Sequence, residues 1–122
     1  MHPKVDLAAQ LARIDAPWVP KVVAELNGQH VKLARLEGAY VWHSHAAEDE
    51  LFLVLEGRVR IELRDGAVEL APGELFVVPR GVEHRPVAPG GAAVLLFEPA
   101  ATRNTGDVDH AWTIEPEDLE RI

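Results

Sequence analysis

Near the start of the chain Leu7, Leu11 and Ile14 recur at helical spacing, and Pro17 and Pro20 end that pattern. The spacing predicts one short N-terminal helix between Val5 and Ile14. From Lys21 the period changes. Lys21 to Leu26 is β-compatible, Asn27-Gly28 is the dipeptide favoured in tight hairpin turns, and Gln29 to Glu37 resumes an extended pattern, so this stretch predicts a hairpin. Further short strands are predicted at Gly38 to His45, Glu50 to Leu55, Arg58 to Leu63, Ala67 to Leu70, Glu74 to Val78 and Ala92 to Phe97. Turn residues separate them: Glu56-Gly57, Asp65-Gly66, Pro72-Gly73, Pro79-Arg80-Gly81 and Pro89-Gly90-Gly91. Many short strands at even spacing mean an all-β sandwich or barrel. Thr102 to Asp109 reads as polar loop, and Glu115-Pro116-Glu117-Asp118-Leu119 as the start of a short final helix.

Alternation within the strands separates two kinds of sheet. In Arg58 to Leu63 apolar and charged residues strictly alternate, so one face meets a core and the other meets water. In Leu51 to Leu55, Leu75 to Val78 and Val94 to Phe97 both faces are apolar, and those strands need cover on both sides. Exposed apolar patches beyond about 400 Å² are unusual on a monomer, which predicts a homodimer packed on this sheet.

With 122 residues, the expected organisation is one domain, 1–122. It divides into a helical extension over 1–20, a β-barrel over 21–99 and a tail over 100–122. Asp and Glu number 20 against 12 Lys and Arg, a formal charge of -8, so phosphate backbones and anionic lipid surfaces are repelled. Neither nucleic acid nor membrane is an expected partner. The chain has no cysteine, which removes disulfides, thiolate nucleophiles and sulfur-ligated metals. No apolar run approaches the roughly 20 residues of a membrane helix, and no signal-peptide pattern opens the sequence, so a cytoplasmic location is expected.

Any metal must therefore be held by His and carboxylate. His43 and His45 are two apart, so on a strand both rings share a face. Glu50 lies on the next strand and His84 follows a Pro-Arg-Gly turn, positions that a closed sheet can bring to one interior point. Three imidazoles and one carboxylate suit Fe, Mn, Co, Ni, Cu or Zn and lack the oxygen-rich shell of Ca²⁺. With a 2+ ion the sum is about +1, which invites an anionic or oxygen-bearing ligand. Glu48 shares the strand parity of Glu50 and is a rival ligand. Val41, Phe52 and Val54 share the ligands' parity and are expected to line the cavity, with Phe76 or a neighbour completing it. Tyr40 and Trp42 have the opposite parity and are expected to face away as packing or dimer contacts. Arg80 and Arg85 flank His84, and solvation is favoured for them over a role at the barrel mouth. His2, His30 and His110 are expected to be solvated. Neither a nucleophile elbow nor a Gly-rich phosphate loop is present.

At these residues the chain resembles the cupin superfamily, in particular small single-domain bacterial cupins of the mannose-6-phosphate-isomerase-like group. The first family motif is matched by Gly38, His43-Ser44-His45, Glu50 and Gly57, with one residue fewer than usual between Gly38 and His43. The second is matched by Gly73, Pro79, Gly81 and His84, while its usual final Asn falls at Ala88. The interval from Glu50 to Gly57 favours Glu50 over Glu48 as the ligand. The resemblance implies a jelly-roll β-barrel holding one divalent transition metal on His43, His45, Glu50 and His84. It further implies a metal-dependent enzyme, a dioxygenase or an isomerase or epimerase, acting on a small oxygen-rich molecule. A non-catalytic binder of a sugar or carboxylate, or a barrel braced by its metal, are the rival readings, because fold alone does not choose among activities.

Overall fold

The computed structural model describes residues 3–122, so His2 lies outside the described residues. A single turn-and-a-half of helix, α1 (Leu7–Leu11), opens it, capped by the Asp6 carboxylate, which accepts from the Ala9 N–H at 3.1 Å. The helix is shorter than the apolar spacing predicts, because the chain turns after Leu11 and carries Ile14 and Trp18 into the core without further helical turns. Seven strands follow: β1 (Lys21–Leu26), β2 (Gln29–Ala39), β3 (Glu50–Gly57), β4 (Val59–Leu63), β5 (Gly66–Leu70), β6 (Leu75–Val78) and β7 (His84–Pro99). A 3-10 turn at Pro116–Asp118 replaces the expected final helix. Among the described residues, no helix is long and apolar enough to cross a membrane.

All strand pairs are antiparallel, in the order β1-β2-β7-β3-β6, with β4 joining β7 to β5. The fold is a jelly roll organised on β7. Its first residues pair with β4 and its later ones with β3, while β2 lies along its other edge. Two strand boundaries therefore differ from expectation. Pro89-Gly90-Gly91 does not end a strand; β7 bends there, opposite the irregularity between Leu36 and Gly38 of β2. Gly38 closes β2 instead of opening a new strand, and from Tyr40 to His45 only the bridge between His43 and His84 remains of the expected strand.

The inner core holds Leu36, Phe52, Val54, Val59, Ile61, Val94 and Leu96, each from the inward parity of its strand. A second cluster covers the outer face, where Leu11 and Ile14 pack on Leu33 and Ala93 with Leu55 and Leu95 at its margin. The N-terminal segment thus covers only part of the two-sided apolar sheet. Leu75 and Val77, outward on β6, remain 56% and 43% exposed.

Candidate metal centre

His43 and His45 come from the irregular link after β2, Glu50 is the first residue of β3, and His84 is the first of β7. Each offers one ligand atom, and the four atoms lie within 4.8 Å of one another. All four side chains are buried, His84 completely. Glu48 is not in the group and stays half-buried.

Two hydrogen bonds fix the rings. His43 Nδ1 lies 2.9 Å from the Val41 carbonyl, and His84 Nδ1 lies 2.9 Å from the Val82 carbonyl. A carbonyl oxygen only accepts, so each ring carries its proton on Nδ1 and keeps Nε2 as a lone-pair donor. His84 Nε2 is then 3.3 Å from Glu50 Oε1, an acceptor facing an acceptor, and His45 Nε2 is 3.4 Å from the same oxygen. Neither ring nitrogen of the buried His45 has a hydrogen-bond partner. Converging lone pairs and an orphaned imidazole are what a cation would satisfy, and the N/O donor set fits a divalent transition metal.

The electrostatics agree. Burial pushes the His43 imidazole down to about 4, with the neighbouring His84 adding to the effect. At neutral pH that ring is neutral, as a ligand must be. Burial pushes the Glu98 carboxyl well above the usual carboxylate range, and the charge of the neighbouring Glu50 adds to the effect.

Several backbone contacts hold the ligands in place. The His43 and His84 backbones exchange two bonds of 3.1 and 2.9 Å, and the Gly81 N–H donates to the His45 carbonyl at 2.8 Å. Ser44, between the two histidines, is clamped from the C-terminal side. Its N–H donates to Asp107 Oδ1 at 2.9 Å, and its carbonyl accepts from the Asp107 N–H at 3.1 Å. The clamp is part of a buried loop: Thr102 and Thr105 are fully buried, and Arg103 binds the Gly106 and Val108 carbonyls. The segment 102–109, expected to be only polar loop, is thus a wall of the site.

A cavity of about 40 Å³ lies beside the group. His43, Glu50, Phe52, Tyr40, Trp18 and Glu98 line it, with Asn104 and smaller apolar residues between them. Phe52 is where its parity placed it. Val54 and Phe76 instead pack in the core beyond the cavity wall, and Val41 sits half-buried at the core margin. Tyr40, expected to face outward, is buried in the wall, stacked on Trp18 at 4.5 Å and edge-on to His43 at 5.4 Å. The reason is register. Ala39 pairs with Val87 but His43 bridges His84, a one-residue slip along β7 that turns Tyr40 and His43, three apart, to the same side.

Trp42 does face outward, under the Arg64 guanidinium at 3.9 Å. Arg80 is paired with Asp49, and Arg85 with Glu62, so both arginines have partners outside the cavity. His110 is exposed, its ring 4.8 Å from that of Trp112. His30, expected to be solvated, is only 4% exposed, and burial lowers its pKa.

Sequence reasoning missed Lys32 and Glu98. They are 1% and 2% exposed, and their side chains meet at 2.8 Å inside the barrel. The signal was present in parity: Val94, Leu96 and Glu98 alternate on the inward face of β7, as do Lys32, Ala34 and Leu36 on β2.

Residues 29–98 of the chain match the Cupin_2 family model, a cupin domain, which spans more than half of its length. The chain belongs to the cupin superfamily. The crystal structure of a cupin-2 domain containing protein from Shewanella frigidimarina superposes on this cupin with a TM-score of 0.77 and 39% identity. That superposition covers 78% of this chain and 93% of the other. The uncharacterized protein YdbB of Bacillus subtilis is 39% identical over 64 residues, 52% of this cupin and 57% of YdbB. Homogentisate 1,2-dioxygenase of Bradyrhizobium diazoefficiens is 40% identical over 52 residues, 42% of this cupin but only 12% of the dioxygenase. The matches thus span little more than half of one of these curated relatives and about an eighth of the other.

Proposed function

We propose that this cupin is a metal-dependent enzyme of the dioxygenase type, acting on a small hydroxylated molecule inside its barrel. One observation carries the reading: three buried imidazoles and a carboxylate with lone pairs converging within 4.8 Å, beside a small, largely apolar cavity. His43, His45, Glu50 and His84 would hold the ion, which supplies Lewis acidity and an open position for an oxygen ligand. The residues of the chain supply the rest. Phe52, Tyr40 and Trp18 exclude water from the cavity, which strengthens every charge interaction inside it. The carbonyls of Val41 and Val82 fix the ring tautomers, and the Asp107 clamp fixes the histidine backbone. The likeness to a segment of homogentisate 1,2-dioxygenase supports dioxygenase chemistry over isomerisation.

The test is elemental analysis of protein purified without added metal, followed by dioxygen uptake with a panel of hydroxylated aromatic and aliphatic acids. The expected result is about one equivalent of a transition metal, lost in both His43→Ala and His84→Ala, and dioxygen uptake abolished by chelator. Stoichiometric metal in both variants would refute the ligand assignment. Metal-loaded protein that consumes no dioxygen with any of the panel would refute the dioxygenase reading.

A further inference from the structure

The metal-capable group occupies one side of the cavity, and a second polar feature lies on the other. Lys32 of β2 and Glu98 of β7 are both inside the barrel, neither more than 2% exposed, with Nζ and Oε1 2.8 Å apart. Leu51 pairs with Phe97, so the next residues along, Glu50 and Glu98, stand level across β3 and β7. Like charges directly opposite on neighbouring strands are destabilising. A fold that needed only a packed barrel would place apolar residues there, as it does at Phe52 and Leu96. Lys32 binds a single oxygen of Glu98. The other, Oε2, is buried, has no hydrogen-bond partner, and belongs to a side chain lining the cavity. Buried polar atoms are nearly always partnered. Without a metal the Glu98 carboxyl can share a proton with Glu50, but once Glu50 is committed to a metal the partner left for Oε2 is one that arrives with the ligand.

We infer that Glu98, held in place by Lys32, is a ligand-binding residue that hydrogen-bonds a hydroxyl of the substrate while a neighbouring oxygen of that substrate faces the metal group. This rests on the metal-dependent reading above and narrows its substrate to a molecule with a hydroxyl next to the metal-binding oxygen, such as a 2-hydroxy acid or a vicinal diol. The cavity of about 40 Å³ suits a reacting end of a few non-hydrogen atoms. Lys32 is the positioning residue: it occupies Oε1 and so leaves Oε2 to the ligand.

The experiment uses Co(II) as the metal and glycolate and acetate as probes, which differ by one hydroxyl. Co(II) uptake and its visible spectrum are followed first, then the change of that spectrum on titration with each probe. Wild type should favour glycolate over acetate by about ten- to a hundredfold, the range for a hydrogen bond to a charged group. Glu98→Gln, which keeps an acceptor oxygen, should retain part of that preference. Glu98→Leu strands Lys32 as an unpaired buried charge, so the Lys32→Met/Glu98→Leu double variant guards against misfolding. Replacing a buried pair by apolar side chains of similar volume commonly preserves stability. The double variant should take up Co(II) and bind both probes without discrimination. An unchanged glycolate preference in the double variant, or none in wild type that takes up Co(II), overturns this inference alone. Failure of wild type to take up Co(II) overturns the metal-dependent reading and this inference with it.

Discussion

Gly106 is the position where a single methyl group should uncouple the C-terminal loop from the metal centre. It has φ +56, and a Cβ there would run into the Ser44 carbonyl, coming within 2.9 Å of its carbon and 3.2 Å of His43 Cδ2. Ordinary carbon contacts sit near 3.5 Å or beyond, so in Gly106→Ala the loop and the histidine segment must separate by roughly 1 Å. The left-handed backbone costs an alanine roughly 1–2 kcal/mol. Separation also breaks the two bonds between Ser44 and Asp107, each worth about 1 kcal/mol. The expected loss is about 3–4 kcal/mol, or a fall in Tm of about 10–15 °C for a domain of this size. Gly28→Ala is the matched control. Gly28 has φ +76 but nothing within 4 Å of the added Cβ, so only backbone strain remains there. Metal affinity should separate the two variants further, because metal–ligand distances tolerate only about ±0.2 Å. Loss of a supporting contact typically costs about 10–100-fold in affinity. Scanning calorimetry and chelator competition on both variants make the comparison. Equal Tm and equal affinity in Gly106→Ala and Gly28→Ala would refute the clamp.

The metal-free protein should be sensitive to acid through His43. Burial lowers its pKa from 6.5 to about 4, so between these values the unfolded chain binds a proton that the folded chain refuses. The stability from keeping this ring neutral is complete above pH 6.5 and falls by about 3 kcal/mol as the pH drops towards 4. Urea midpoints of wild type and His43→Gln should converge over that interval, and parallel decline would contradict the argument. A different variant tests assembly, for which we propose a homodimer across the outer face of β3 and β6. Leu75 and Val77 pair with Leu53 and Leu51 there, and the far edge of β6 carries no strand. Sedimentation of wild type at micromolar concentration should give a dimer, and Leu75→Glu/Val77→Lys a folded monomer; a monomeric wild type would sink the proposal.

How much of this was legible beforehand depended on whether local spacing or tertiary register decided each feature. The convergence of the four candidate ligands was legible because their order is written in short intervals: a His-x-His pair, a carboxylate at the head of the next strand, and a histidine after a Pro-x-Gly turn. The alternation of Arg58 to Leu63 likewise survives, with Val59 and Ile61 fully buried and Arg60 and Glu62 at the surface margin. The facing of Tyr40 was not legible. It follows from the slip between the Ala39 and His43 pairings, which β7 imposes from 48 and 41 residues away respectively. The continuity of β7 through Pro89-Gly90-Gly91 was hidden for a related reason, since the same residues that end a strand also bend one when both neighbours pair across the corner.

The buried charges show where pattern reading fails for a physical reason. Charged side chains are almost never fully buried unless paired, so Lys32 and Glu98 each read as solvent-facing when taken singly. Only the pairing of β2 with β7, which sets Lys32 opposite Leu96 and so diagonal to Glu98, supplies the compensation. The same topology then puts Glu98 level with Glu50, whose carboxylate faces the three imidazoles. Apolar residues at both 32 and 98 would avoid the repulsion from Glu50 and the desolvation of the buried pair. Barrel packing alone therefore gives no reason for the Lys32–Glu98 pair, whereas the proposed hydroxyl ligand would give its free acceptor oxygen a partner.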